Sequence, residues 1–507
     1  NRDESYASAG RISAAVEPGP TLVYQTAAEA AAATQVTVPT ILDPARPAVH
    51  LLRRTTFGPT PELVAAVEGG GIDAWLAAQL DPASIPDPEG DAVSAAFPLS
   101  TADPAAIQGS VERNHWDAST DVSVATIGRQ VWSQRQLFEV MVDFWANHLH
   151  VATPGPGSWD VGPAYHRDVI RRHALGTFTD MLLASGSHPA VLRFLTAESS
   201  TKEDVNENYG RELLELHTVG VAAGYTEADV RTSAHILTGR TVVGRDGPGA
   251  EGTFRYDPAK HFVGPVSVLG FSDPNASPDG GLDVGDRYLR HLAAHPATAA
   301  TIAHKLAVRF VSDVPPPTLV DRLATAYLDG GTAVLPVLDV LFRSAEFWSA
   351  VGQKIRRPLE NVVASARILG VRPEGEIDPA TRPLYNAARR GGHAPLAWPA
   401  PNGYPDVGPA WRSANGVLEG WNTHRMLIGD WDDRLTRPNV RELAGGATTA
   451  GAFVDNLCSR LTFQAFQAPH RAAVVTFLGG EAAPLDRDDL ADGAAALVLD
   501  SPYFALR

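Results

Sequence analysis

The chain has 507 residues, of which 44% are hydrophobic and 20% are charged, and its formal net charge at pH 7 is −16. This composition is typical of a globular protein with a large buried core. The negative charge disfavours nucleic acid and anionic membranes as partners, and no apolar run reaches the ~18 residues that a membrane span needs.

The N-terminal residues are small and polar, and they predict an extended arm over residues 1–47. From Ala48 onwards the pattern becomes helical, which predicts one all-helical domain over 48–507 with a weakly marked subdivision near 310–350. Thr60 and Pro61 predict a helix start, because threonine caps the first turn and proline fits it. The three glycines that follow at 69–71 predict the end of that helix.

The rest of the chain predicts a mainly α fold: a large multi-helix single body with long ordered loops and at most a short β-hairpin. Strand-like alternation is confined to 263–269. The segment 391–408 is rich in Gly and Pro and carries Trp398 and Tyr404, which favours an ordered, functional loop. Apolar residues recur with helical period in the segments 126–151, 163–184, 205–219, 226–239, 285–312, 317–328, 332–345, 355–370, 415–430, 451–465, 469–478 and 487–500.

The segment QLFEVMVDFWANHLHV, 136–151, places His148 in the middle of an apolar helix face. Glu139, Asp143 and His150 fall on the opposite side of the helix. A histidine on an apolar face is either a satisfied core residue or a general base or metal ligand, and both interpretations stay open. Asn147 beside it could hold a substrate.

The segment 205–219 predicts a helix in which one acidic side chain lies on the apolar face. Glu212 falls inside an apolar face, Asn208 and Glu215 lie at the edge of that face, and Arg211 lies on the far side, where it can pair with a glutamate. A buried carboxylate is costly unless it is paired, protonated or metal-bound. Two interpretations of Glu212 stay open. One is a functional acid, base or ligand, and the other is a structural ion pair with Arg171, Arg231 or Arg309.

The segment GYTEADVRTSAHILTG shows a helix start in which Thr226 and Asp229 have the spacing of a capping box. Glu227 is left without a structural role there, and Gly239 predicts the end of the helix.

These segments together resemble the bacterial domain-of-unknown-function 1800 family. FWANHLHV resembles its FWHNHF-type motif, NENYGRELLELHTVG its NENYARELMELFTLG, and YTEADVRTSAHILTG its YTE-D-V…TG. The chain departs from the pattern at Ala146, where the family has a histidine, and at His217, where it has a phenylalanine. The resemblance implies an all-helical fold and, often, export, and it leaves the chemistry open. It singles out the polar positions Glu139, Asn147, His148, His173, Asn206, Glu207, Asn208, Tyr209, Arg211, Glu212, Glu215, Thr226, Glu227 and Asp229.

The first functional hypothesis is an exported hydrolase or lyase that acts on a glycan or another cell-surface polymer. Two carboxylates in unlike surroundings can divide the acid and base roles. Glu212 is then the buried acid, Glu215 or Glu227 the second carboxylate, and His148 a supporting base. The predicted substrate-binding residues are Asn147, Asn208, Tyr209, Arg211, Trp398 and Tyr404. No cofactor is predicted, since HExxH, P-loop, GxSxG and CxxC motifs are absent.

Two alternatives belong to other classes. A metal-dependent enzyme would use His148, His173, Glu212 and Glu215 as ligands of a divalent or redox metal ion. A non-catalytic envelope or assembly protein would use the polar residues as a structural network.

The predicted localisation is extracellular or in the cell envelope of a bacterium. Cys458 is the single cysteine, which is compatible with export of an already folded protein. The chain begins NRDESYASAG rather than with Met, so a signal peptide is not visible in it. The oligomeric state is open.

Overall fold

Many of the helices begin with a proline in the first turn. The computed structural model describes residues 41–155, 157–429 and 432–507. The helix that begins at Pro61 follows Thr60, whose side chain accepts a hydrogen bond from the backbone N–H of Leu63, and it ends before Gly71, which has a left-handed φ of 93°. The helix start and stop predicted there are confirmed, and so is the capping box of Thr226 and Asp229.

The described residues form 25 α-helical segments, several of them single turns. In chain order they are α1 (Pro47–Thr55), α2 (Pro61–Gly70), α3 (Ile72–Leu80), α4 (Pro88–Ala96), α5 (Pro104–Ser110), α6 (Asp117–Trp132), α7 (Gln136–His148), α8 (Gly162–Tyr165), α9 (Phe178–Gly186), α10 (Pro189–Phe194), α11 (Asn208–Glu212), α12 (Glu227–Leu237), α13 (Gly281–Ala293), α14 (Pro296–Phe310), α15 (Pro317–Asp329), α16 (Val334–Arg343), α17 (Ala345–Ser349), α18 (Pro358–Ile368), α19 (Ile377–Arg390), α20 (Ala414–Ile428), α21 (Val440–Leu443), α22 (Ala450–Thr462), α23 (Ala468–Phe477), α24 (Asp488–Leu499) and α25 (Pro502–Ala505).

Two short helices continue directly as π-helix. The π segment after α8 is His166–Arg171, and the π segment after α11 is Leu213–His217. A π turn takes more residues than an α turn, so the side chains beyond Leu213 are rotated relative to those of a regular helix. The face predicted for 205–219 on regular helical geometry is therefore only partly correct.

Strands are confined to three small antiparallel pairs in the described residues. They are β1 (Arg240–Val242) with β2 (Phe254–Tyr256), β3 (Val266–Val268) with β4 (Phe271–Asp273), and β5 (Arg372–Pro373) with β6 (Leu435–Thr436). The β3–β4 hairpin lies where alternation predicted one, and Gly270 turns the chain with a φ of 82°. The mainly α fold is confirmed, with three short pairs in place of a single hairpin.

Two long predicted helices are each broken in two. The segment 126–151 divides at Ser133, because the carboxylate of Asp87 accepts hydrogen bonds from the Ser133 hydroxyl at 2.6 Å and from the Gln134 N–H at 2.8 Å. The segment 285–312 divides before Pro296, since proline cannot continue a helix interior. The helix α19 was not predicted, and it contains Pro383.

The helix α7 is buried on both faces. Glu139 is 2% exposed, His150, just beyond the helix, is also buried, and the predicted polar side therefore packs against protein. The carboxylate of Glu139 accepts two hydrogen bonds from the guanidinium of Arg171, at 2.7 and 2.8 Å. Burial of this charge is tolerated because the pair is bidentate.

A larger set of buried charges joins α7, α14, α18, the 391–411 loop and the last residue of the chain. Arg309 binds Glu360 at 2.9 Å, Arg357 binds Asp143 at 2.7 Å, and Arg507 binds Glu360 at 3.1 Å. Burial alone would raise the pKa of Glu360, but the guanidiniums, Arg357 foremost, hold it well below the usual value. We call this set the buried charge cluster; its members are Asp143, Arg309, Arg357, Glu360, Asp406 and Arg507.

Residues 41–507 form one compact unit. The predicted N-terminal arm lies outside the described residues over 1–40, and its last residues, 41–47, lead into α1. No helix in the described part of the chain is long and apolar enough to cross a membrane.

We expect Glu360→Gln to lower the free energy of unfolding by about 3–5 kcal/mol, because it leaves three buried guanidiniums without their shared carboxylate. Urea unfolding followed by circular dichroism measures this change. Glu346→Gln is the matched control, since Glu346 pairs with Arg322 at the surface at 2.8 Å, and its loss should cost less than about 1 kcal/mol. Equal small losses in both variants would contradict the role of the cluster.

The same carboxylate predicts a pH dependence. The pKa of Glu360 in the folded protein is below its ordinary 4.5, so its stabilisation is present above that pH and is lost as the pH falls further. Wild-type protein should therefore lose more stability than Glu360→Gln on acidification below pH 4.5.

Candidate functional site

The predicted site residues lie in two different places. The acids predicted to be catalytic lie on α11, its π segment and α12, together with Asn208, Tyr209 and Arg211. His148, Asn147, Trp398 and Tyr404 lie on α7 and in the 391–411 loop. Asn147, His148 and Tyr404 line a cavity that the first group does not share, and Trp398 packs against Tyr404.

The acids on α11 and its π segment are half-buried rather than buried. Glu212 and Glu215 are both partly exposed. Burial, and then the neighbouring Glu215, raises the pKa of Glu212, while Arg211 opposes the shift. Glu227 is exposed, and its hydrogen bonds from Arg211, at 2.6 and 2.9 Å, lower its pKa. Glu227 therefore belongs to a surface ion pair, whereas Glu212 is a half-buried acid with a raised pKa.

The structural ion pair predicted for Glu212 is wrong, because each of the three candidate arginines binds another carboxylate. These pairs are Arg171 with Glu139, Arg231 with Glu207, and Arg309 with Glu360. The reason is tertiary, since the fold places each of these arginines within salt-bridge distance of a carboxylate other than Glu212.

Two predicted substrate-binding residues have structural contacts instead. Tyr209 is 3% exposed, and burial raises its pKa to about 12, so its hydroxyl stays protonated inside the core. Asn208 donates a hydrogen bond from Nδ2 to the carbonyl of Leu195. Neither side chain lines the cavity that contains His148.

His148 instead forms a pair with a lysine. Its Nε2 is 3.1 Å from the carbonyl oxygen of His217, and its Nδ1 is 2.9 Å from Nζ of Lys305. A carbonyl only accepts, so Nε2 carries the proton and Nδ1 accepts from the lysine. Burial, and then the charge of Lys305, holds the pKa of His148 well below its usual value. The imidazole is therefore neutral.

The amine of Lys305 has one position left for chemistry. Two of its three donor positions are used, by Nδ1 of His148 and by the carbonyl of Leu216 at 3.3 Å. Loss of hydration lowers the pKa of Lys305 to about 8. The third position, which holds a proton in the ammonium and a lone pair in the free amine, has no partner among the described residues.

The π segment supplies the acceptors for this pair. Leu216 and His217 are its last residues, and carbonyl groups at the end of a helix lack partners within the helix. The negative end of the helix dipole also favours a cation there. The His217 ring is buried, and burial lowers its pKa to about 3. The neutral ring adds no charge beside Lys305.

The lysine–histidine pair lies in a cavity of 260 Å³ between α7, α14 and the 391–411 loop. Three members of the buried charge cluster, Asp143, Arg357 and Asp406, form part of its wall, and Tyr404 joins Asp406 on the loop side. Half-buried Lys305 is thus reachable from solvent through the cavity. We call this space the Lys305 cavity.

The loop wall is fixed to α7 by Asn147. Its Nδ2 donates to the carbonyl of Tyr404 at 2.6 Å, and its Oδ1 accepts from the Tyr404 N–H at 2.5 Å. Gly403 permits this approach, because a Cβ there would lie 2.2 Å from the Asn147 carbonyl. Trp398 packs against Tyr404 with ring centroids 5.0 Å apart. Asn147 therefore positions the loop, a different role from the substrate binding predicted for it.

The alternative ligand set does not form a metal site. No group of three or more His, Cys, Asp and Glu side chains in the described ranges has a suitable arrangement. His173 lies beyond the π segment after α8, half-buried next to Asp180, whereas His148 faces Lys305.

Sequence reasoning did not identify Lys305, Arg357 or Asp406 as site residues. One signal was available for the first, since Lys305 is one of only four lysines in the chain. It also lies in HPATAATIAHKLAVRF, a segment that shares the family resemblance. Arg357 and Asp406 also lie in segments that share the resemblance, KIRRPLENVVASARILG (354–370) and PNGYP…AW (401–411). Both are separated from α7 by more than two hundred residues.

The fold and this cavity define a mainly helical protein whose polar side chains converge on a lysine–histidine pair. The family model described as protein of unknown function (DUF1800) matches residues 50–506. The chain belongs to this family, and the resemblance inferred from its motifs is confirmed. A search of curated proteins and a search of solved structures each gave no match.

We expect the Lys305 amine to titrate with an apparent pKa of about 8 rather than the ordinary 10.5. Pulse acylation across a pH series, followed by peptide mass spectrometry, measures this value from the labelling rate. The exposed Lys202 in the same digest corrects for reagent decay, and Lys305→Met confirms the peptide assignment. A midpoint at the ordinary lysine value would contradict the desolvated environment described above.

Proposed function

We propose that the protein is an enzyme of the hydrolase or lyase class whose reaction centre is the Lys305–His148 pair. The observation that carries the proposal is the 2.9 Å contact between the lysine amine and a neutral imidazole inside a cavity. A partly desolvated lysine with a lowered pKa is a recurrent general base or nucleophile, because it is partly unprotonated near neutral pH. The proposal moves the reaction centre from Glu212 to Lys305.

The proposed proton transfer follows from the fixed hydrogen bonds. His148 Nδ1 and the Leu216 carbonyl hold two N–H groups of Lys305 in both protonation states. The lone pair of the neutral amine then occupies the third position, where it takes a proton from water or from a substrate carbon. His148 orients the amine and is not the base itself, since its Nδ1 is already occupied by the lysine N–H.

A glycan or a related polymer remains the proposed substrate. A cavity of 260 Å³ accepts one monomer-sized group rather than a folded partner. The aromatic side chains of the 391–411 loop suit the apolar faces of sugar rings. Export from a bacterial cell is also part of the proposal and rests on the family resemblance.

We expect Lys305→Met to lower kcat by roughly 10²–10⁴-fold, the usual contribution of a positioned acid or base. A panel of neutral and uronate-containing polysaccharides is assayed for new reducing ends and for the ultraviolet absorbance of unsaturated products, which separates hydrolysis from elimination. Glu212→Gln is the control and should keep its activity, because Glu212 lies outside the Lys305 cavity.

The pH profile gives a second readout of the same experiment. A base must be unprotonated, so wild-type kcat/KM should rise with pH through about 8. Loss of activity in Glu212→Gln with full activity in Lys305→Met would overturn the proposed site and return the reaction to the α11 acids.

A further inference from the structure

A second polar constellation lies away from Lys305, between α18, α20 and the end of α24. It lines a cavity of 140 Å³ that is open along α20. The side chains on which the inference rests are Asn361, Trp411, Glu419, Trp421, His424 and Asp500. We call this cavity the α20 groove.

The floor of the α20 groove is a histidine held on both sides. His424 is 3% exposed, and its Nδ1 donates to Oδ1 of Asp500 at 2.6 Å. Its Nε2 accepts from Nδ2 of Asn361 at 3.1 Å. These two bonds fix the tautomer and the ring plane. They leave Oδ1 of Asn361 and Oδ2 of Asp500 as acceptors that receive no hydrogen bond from the described residues.

The rim of the groove exposes large apolar side chains. Trp421 is 47% exposed and Val417 is 50% exposed, one helical turn apart on α20. Trp411 is half-buried and lines the same groove. Indole rings beside unfilled polar acceptors form an amphipathic surface, which suits a ligand with an apolar face and a polar edge.

The charges in the groove balance, which decides between ligand classes. Asp500 is bound to His424, and Glu419 accepts from Nε of Arg390 at 3.1 Å. The guanidinium of Arg356 lies over the ring of Phe504 and donates to that residue's carbonyl. A strongly charged ligand gains little from such a site. A neutral ligand that carries several hydroxyl donors satisfies the open acceptors.

We propose that the α20 groove is a saccharide-binding site in which a neutral sugar ring packs on Trp421 and donates hydroxyl hydrogen bonds to Asn361 and Asp500. Trp411 connects this site to the other cavity. Its indole stacks on His393 with centroids 4.6 Å apart, and His393 lies 4.3 Å from the ring of Tyr404, which lines the Lys305 cavity. A glycan bound in the groove is therefore placed beside that cavity; that this glycan is the substrate rests on the proposed function.

The test is binding measured without turnover. Cellohexaose, chitohexaose and maltohexaose are titrated singly into the full chain by isothermal calorimetry and by tryptophan fluorescence. At least one should bind, and Trp421→Ala should weaken its Kd by about tenfold or more, the scale of one lost aromatic platform. Asn361→Ala should weaken it as well, which separates the polar contact from the indole. Trp116→Ala is the matched control, since Trp116 is a 51% exposed indole on another part of the surface.

Each outcome decides for or against the groove. No binding of any of the three probes, or equal binding by Trp421→Ala and wild type, overturns the proposal, and so does an equal loss in Trp116→Ala. The Lys305→Met variant distinguishes a failure of the groove proposal from a failure of the proposed enzyme activity. Trp421-dependent binding without turnover supports the groove and counts against the enzyme. Turnover that is lost in Lys305→Met, together with unchanged saccharide binding and an unchanged rate in Trp421→Ala, supports the proposed enzyme and contradicts the proposed saccharide site.

Discussion

The pairing of buried guanidiniums with carboxylates is the constraint on which the rest of the structure depends. Arg309 and Lys305 are four residues apart on α14 and so share one side of that helix. The salt bridge from Arg309 to Glu360 fixes α14 against α18. It thereby fixes the position of the Lys305 amine in the cavity. Asp406 brings the 391–411 loop to the same cluster. Buried ions are costly unless every partner is present, so these elements come together as a set or not at all.

Desolvation then determines the chemistry of the cavity. The surroundings that raise the cost of charge on Lys305 also keep His148 neutral, and the two effects support one another, because a protonated imidazole would repel the ammonium. The neighbouring His217 is uncharged for the same reason, so the lysine is the one titratable cation at this contact. The π segment adds carbonyl acceptors without adding net charge. A lysine that loses its proton near neutral pH follows from this arrangement without a second titrating group.

The aromatic side chains between the two cavities link the proposed reaction centre to the proposed binding groove. His393 stacks on Trp411 and lies tilted against the ring of Tyr404, and Asn147 holds Tyr404 against α7 through two hydrogen bonds to its backbone. A side chain outside the 391–411 loop also fixes its backbone, since the carboxylate of Asp313 accepts from the Gly408 N–H at 2.7 Å. A polymer held along α20 would reach the lysine across this one rigid wall.

The sequence by itself determined the features that depend on neighbouring residues: the mainly α fold, the helix start at Pro61, the capping box at Thr226 and the family. It could not determine which face of α11 meets solvent, since the π segment rotates that face, or that α7 is buried all round. Only the tertiary structure brought Lys305 to His148, because the two lie 157 residues apart. The pKa of that lysine depends on the exclusion of water by residues that are distant in the sequence, and no local sequence pattern predicts that exclusion.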